Sequence, residues 1–168
     1  KLIALATATF IPEGIFRTCA RTFSATVGAM VSTLLAWAAL DVVAIEMEFG
    51  REIALGIPAW MFQLVLPVAF GGIGLRLAWA AGSFWPRVVA WLGMSAGSLF
   101  EYSWESFDGA AGWPWVVLLV LAAIAGAPIF SVLAGAAAFL YMVDGFDPAA
   151  VPLFAYDLAT EPHLPSIP

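Results

Sequence analysis

Four long tracts of this chain carry no charged residue, and their lengths constrain the fold more than any other feature. They run from Thr22 to Leu40 (19 residues), from Ile53 to Leu75 (23), from Val88 to Phe100 and from Gly109 to Val143 (35). A helix that crosses a bilayer needs about 20 predominantly apolar residues. The whole chain of 168 residues is 63% hydrophobic and 11% charged, whereas a soluble domain carries roughly a quarter of its residues as charges. Water-facing side chains are too few to cover so much apolar surface, so lipid is the expected solvent. No tract alternates polar and apolar residues with a period of two, as barrel strands do. Backbone polar groups in lipid must be satisfied within the segment. The sequence therefore predicts an all-α integral membrane protein, a bundle of about four to five transmembrane helices that forms part of a larger protein.

The first tract, continued past Asp41 by Val42 to Ile45, reads as a spanning helix. The second has Pro58 near its start and Pro67 inside. Proline removes a backbone donor and clashes one turn back, which predicts helix entry at Pro58 and a kink near Pro67. The third reaches bilayer thickness only if Trp85, Tyr102 and Trp104 anchor it at the two interfaces. As one straight helix the fourth would be about 52 Å long, against a hydrocarbon core of about 30 Å. Gly126-Ala-Pro128 offers a break there, and both one kinked helix and two short ones fit the sequence. If the first three tracts cross, Arg17, Arg21, Arg76 and Arg87 fall on one side and Arg51 on the other. The basic excess marks the cytoplasmic face, where Arg76 is expected to snorkel to the headgroups. Glu46, Glu48, Glu52 and the acids between Glu101 and Asp108 then decorate the outer face.

The net charge of −6 argues against a nucleic-acid partner. Cys19 is expected to be a small buried hydrophobe, and His163 has no second histidine or cysteine with which to share a metal. Glu101 and Glu105 stand one helical turn apart, as a general acid–base pair would, yet their Ser, Trp, Asp and Gly surroundings read as a solvated loop. Asp41, near the outer end of the first helix, is assigned to the interface, served by Arg51 or the headgroups. Gly28 with Ser32, Gly71 with Gly74, Gly93 with Gly97, and Ala127, Ser131 and Gly135 are spaced for close helix packing. Gly71-Gly-Ile-Gly74 lacks the strand-to-helix context of a nucleotide loop. No catalytic residue, metal ligand or cofactor is assigned, and the chain is not expected to be an enzyme.

The phrase Ala54-Leu-Gly-Ile-Pro-Ala-Trp60, followed by Leu66-Pro-Val-Ala-Phe-Gly71 and Leu75-Arg76, resembles the last helix of the small membrane subunit of tripartite ATP-independent periplasmic (TRAP) transporters. The helix Ser24 to Ile45, with Pro12 and Arg17 upstream, is similar in character to the preceding small-subunit helix. Val116 to Leu121, leading into Gly126-Ala-Pro-Ile-Phe130 and Gly135, resembles the opening of the large subunit, and the stretch from Pro152 to Pro168 resembles the region that follows. The order of these phrases implies a fused permease. Residues 1–80 would be the second half of the small part, 81–112 a connector that crosses the membrane, and 113–168 the start of the large part. The resemblance implies sodium-driven uptake of an organic anion, such as a C4-dicarboxylate, another carboxylate or an acidic sugar, across the bacterial or archaeal cytoplasmic membrane. Its implied partners are a periplasmic substrate-binding protein, the remainder of the large subunit and membrane lipids. Sodium is the implied coupling ion, and this segment is mainly scaffold, with Pro58, Pro67, Arg76, Gly126 and Pro128 as structural positions. Two other readings stand beside it: a membrane-embedded enzyme using Glu101 and Glu105, and a non-transporting assembly subunit.

Overall fold

A computed structural model describes residues 14–54 and 56–160. The readings of Pro12, of His163 and of the phrase ending at Pro168 lie outside them. The described residues are all-α, 81% helical, apart from a short antiparallel ribbon of β1 (Glu52–Ala54) and β2 (Ile57–Pro58) that the sequence reading did not foresee. The first helix, α1 (Ile15–Phe49), is 35 residues long and buried almost without interruption from Ser24 to Leu35. Burial on every side suits its sequence, which over that stretch carries no charge and only small hydroxyl side chains among apolar ones. It stops at Gly50, whose φ of 62° is the left-handed cap that glycine adopts without strain, and the Gly50 N–H donates to the Glu46 carbonyl at 3.1 Å.

Pro58 precedes the first residue of α2 (Ala59–Gln63), and α3 (Val65–Ala80) follows after Leu64. Pro67 lies in the first turn of α3. Lacking an N–H, Pro67 cannot donate to the Gln63 carbonyl, and its ring crowds the turn before it, which suits a break at Leu64. Next come α4 (Phe84–Tyr102), a 3-10 turn (Trp104–Phe107), α5 (Trp113–Ile124), α6 (Ile129–Val143) and α7 (Ala150–Thr160). Two stretches, Ile15–Phe49 and Ala59–Ala80, are long and apolar enough to cross a membrane. At 19 residues α4 has the length, but it includes Arg87, Ser95, Ser98 and Glu101. At 12 and 15 residues, about 18 and 22 Å, α5 and α6 are each too short for a full span.

Packing is organised by α1. Helix α4 runs parallel to it so closely that a Cβ added at Gly93 would fall 2.7 Å from the Thr26 carbonyl oxygen, and one at Gly97 would overlap that of Met30. Helix α3 runs antiparallel, with Gly74 against Ser32 and Thr33 and the Arg21 guanidinium donating to the Ala80 carbonyl at 2.9 Å. Gly71 meets open space, so its pairing with Gly74 is not a packing motif. Cys19 is exposed, contrary to the expected burial. It lies on the first turns of α1, where Ile15 to Cys19 all face outward and no described element covers them.

The tract from Gly109 to Val143 folds as two helices that double back. Helix α5 ends on a Schellman motif: Gly126, at φ 93°, donates to the Ala123 carbonyl at 3.0 Å, and Ala127 donates to that of Ala122 at 2.8 Å. Pro128 then caps the start of α6, and the Ser131 hydroxyl donates to its carbonyl at 2.7 Å. The hairpin closes at its other end where the Gly109 N–H donates to the Val143 carbonyl at 3.0 Å. Its tip packs at the level of Gly28, which touches Pro128 and Ser131. That level is seven residues, or about 10 Å, along α1 from Arg21. Leu119, Ala122, Ala138, Phe139 and Met142 join Val31, Leu34 and Leu35 of α1 in the main core. Phe100, Trp115 and Phe139 fasten the hairpin mouth to α4, with Trp115 stacked on Phe139 at 4.8 Å.

Candidate functional site

The chain directions sort the charges. Arg17 and Arg21 open α1, Arg76 lies near the end of α3, and Arg87 near the start of α4, all at one end of the bundle. Every described carboxylate is at the other end, where α1, α4 and α6 finish and α5 begins. Arg87 rests over the Trp79 ring at 5.4 Å, and Arg76 is exposed beside Trp79.

At the acidic end the sequence reading missed the most buried charge. Glu46 is only 3% exposed. Arg51 reaches back across the Gly50 turn, donating from Nε to Oε1 at 2.6 Å and from Nη2 to Oε2, and so clamps the carboxylate at both oxygens. This bidentate contact raises the Arg51 guanidinium above its ordinary value. Gln63, at the end of α2, stands beside the Glu46 carboxylate and is itself 2% exposed. Its Oε1 has no partner among the described residues. Arg51 and Gln63, with Glu52, Phe62, Tyr156 and Asp157, line an open cavity of about 650 Å3. The partner expected for Arg51 was Asp41. Asp41 instead lies with Trp37, Ser98, Glu101 and Tyr102 around a separate cavity of about 400 Å3. A signal for Glu46 was present in the chain, since the single arginine at this end stands five residues on, just past a helix-ending glycine.

Glu101 and Glu105 are not brought together at a cavity. Helix α4 ends at Tyr102, so the helical spacing between them is broken. Glu101 packs toward Asp41 with one carboxyl oxygen buried, while Glu105 is exposed on the 3-10 turn. Among the described residues no group of three His, Cys, Asp or Glu is arranged to hold a metal ion.

Gly126 and Pro128 form the tip of the hairpin, and Pro58 and Pro67 flank the α2–α3 break. The tip is a packed joint: Ala127, Pro128 and Ser131 are buried, and none of the described cavities opens on it. Nearby, the Ser32 hydroxyl is fully buried with no hydrogen-bond partner among the described residues. The geometry at the tip is a broken-helix element packed within the bundle. No family model, curated protein or solved structure matches the chain.

Proposed function

We propose that this chain is a scaffold region of a membrane-embedded secondary transporter. In this reading α1, α2–α3 and α4 cross the bilayer, and α5–α6 re-enters from the acidic face without crossing, giving three spans and a hairpin. The observation that carries it is the hairpin itself: two half-length helices meet at a buried Gly126–Pro128 break inside an apolar bundle. Discontinuous helices of this kind recur in secondary transporters, and irregular backbone at membrane depth is tolerated where protein buries it. The four arginines at the opposite end then face the cytoplasm.

Within that class, the order of the phrases around Pro58, Arg76 and Gly126 favours a TRAP-type permease with fused small and large parts, divided at residues 1–80, 81–112 and 113–168. It would take up an organic anion with sodium after delivery by a periplasmic binding protein, in the cytoplasmic membrane. The test is uptake in proteoliposomes by the permease that contains this chain. Uptake is expected to require both a sodium gradient and a separately added binding protein, and uptake indifferent to omission of both would refute the reading. The double variant Glu101→Ala/Glu105→Ala is expected to retain uptake within about twofold of the unaltered permease, since neither carboxylate is at the hairpin joint. A membrane-embedded enzyme that used this pair would lose its activity altogether.

A further inference from the structure

At the acidic end, the ribbon, α2 and α7 border the open cavity of about 650 Å3, a volume within the range of sites that hold small molecules. Ala59 and Phe62 give it an apolar wall, and Gln63 lines it beside them. The Gln63 side chain is 2% exposed, so packing fixes it, yet its Oε1 accepts no hydrogen bond among the described residues. A buried acceptor in that state has lost its bond to water and gained none. Arg51 does not serve it, because Glu46 holds the guanidinium through Nε and Nη2 and the two charges cancel. Glu52, exposed on the same wall, has no ion-pair partner among the described residues, and Asp157 adds another carboxylate to the lining. The remaining described carboxylates gather at this end as well, where Arg51 is the one described cation.

We infer that this cavity binds a small alkylamine as its ammonium ion, which donates to Gln63 Oε1 and to the Glu52 carboxylate while the alkyl stem lies against Ala59 and Phe62. A primary ammonium carries three N–H donors and no acceptor, which matches an unserved amide oxygen beside a carboxylate. The Phe62 ring offers a face that attracts a cation. An anion meets the opposite surroundings, since Arg51 is already neutralised and Glu52 repels it. A divalent metal ion lacks ligands, because no three acids, histidines or cysteines converge among the described residues. The site lies apart from the hairpin joint and requires no transport activity, so this inference and the transporter reading fail separately.

The experiment is saturation-transfer NMR of the full chain in detergent at pH 7, titrated separately with butylammonium, butanol and butyrate, which share one stem and differ in charge. Butylammonium is expected to bind at least tenfold tighter than either of the others and to weaken as salt is raised. Gln63→Leu, which removes the acceptor, should reduce its affinity about fivefold, the worth of one hydrogen bond. Should that variant lose its thermal transition, Glu52→Lys carries the test, because Glu52 is exposed and its replacement leaves the packing intact. Glu52→Gln should weaken butylammonium about fivefold and Glu52→Lys about twenty-five-fold, one charge step and two. Glu105→Gln, exposed elsewhere on the acidic end, should leave the affinity within twofold of the unaltered chain. Equal binding of butylammonium and butanol, or unaltered binding in Glu52→Lys, would overturn the inference. So would equal weakening by Glu52→Gln and Glu105→Gln, which would mark a diffuse attraction to the acidic end instead of a site in this cavity.

Discussion

Replacing Gly97 with alanine is expected to destabilise the bundle by about 3 kcal/mol, the upper end of what overpacking costs in a well-packed interior. The added methyl would overlap the Met30 carbonyl oxygen and stand 3.1 Å from its carbon and 3.2 Å from the Leu34 nitrogen. All three obstacles are backbone atoms of α1, so no side chain can rotate aside and the two helices must separate. Gly93, one turn earlier, meets the Thr26 backbone in the same way, which lets α4 lie along α1 over two turns. Such close approach at small residues is how apolar helices gain dispersion contact where lipid offers no hydrophobic drive. Reversible unfolding in mixed micelles, followed by tryptophan fluorescence, measures the effect. Gly72→Ala serves as the comparison: its added methyl meets nothing within 4 Å, and removing a helical glycine should leave stability unchanged or raise it by about 0.5–1 kcal/mol. Equal stabilities of Gly97→Ala and Gly72→Ala would contradict the α1–α4 contact.

Arg51→Gln is expected to be the second most damaging change, at about 2 kcal/mol. It strands the Glu46 carboxylate, which is 3% exposed, without its cation. Breaking a fully buried pair costs roughly 3–5 kcal/mol. The Arg51 side chain is 67% exposed, so water screens part of this interaction and the expectation is set lower. Glu46→Gln/Arg51→Gln should recover more than half of the loss, because no charge is then left buried. A double-mutant cycle on thermal unfolding in detergent reads this as a coupling of about 1–2 kcal/mol. Additive single effects would show that the pair contributes nothing beyond its separate residues. The pair matters to the fold because it ties the end of α1 to the ribbon and, through Gln63, to the α2–α3 break.

What the sequence revealed and what it concealed follow from the range of each interaction. The charge-free tracts mark the helices because lipid-like solvation is a property of composition. Gly126 and Pro128 mark a break because a left-handed cap followed by proline ends a helix locally. The direction of α6 after that break was not legible. It is decided by Gly135 lying against Val31 and Leu119 and by the ring contacts of Phe100, Trp115 and Phe139, which join residues far apart in the chain. For the same reason Glu46 read as one more outer acid beside Glu48 and Glu52: Arg51 five residues on marks a nearby cation, but only the packing of α1 against its neighbours turns Glu46 inward. The pairing of Glu101 with Glu105 assumed a helix that continues, whereas α4 ends between them at Tyr102. Residues 81–112, read as a connector, contain the helix that packs most closely on α1.

The proposed re-entrant hairpin is tested most directly by the sidedness of labelling by a membrane-impermeant thiol reagent in spheroplasts and inverted vesicles. In a Cys19→Ser background, Asp108→Cys and Asp144→Cys are predicted to react from the same side and Ser83→Cys from the other. Ile124→Cys, exposed beside the hairpin tip, would lie at hydrocarbon depth in the proposed topology and should then react from neither. Labelling of Asp108→Cys and Asp144→Cys from opposite sides would mean that Gly109 to Val143 crosses the membrane, and would contradict the account.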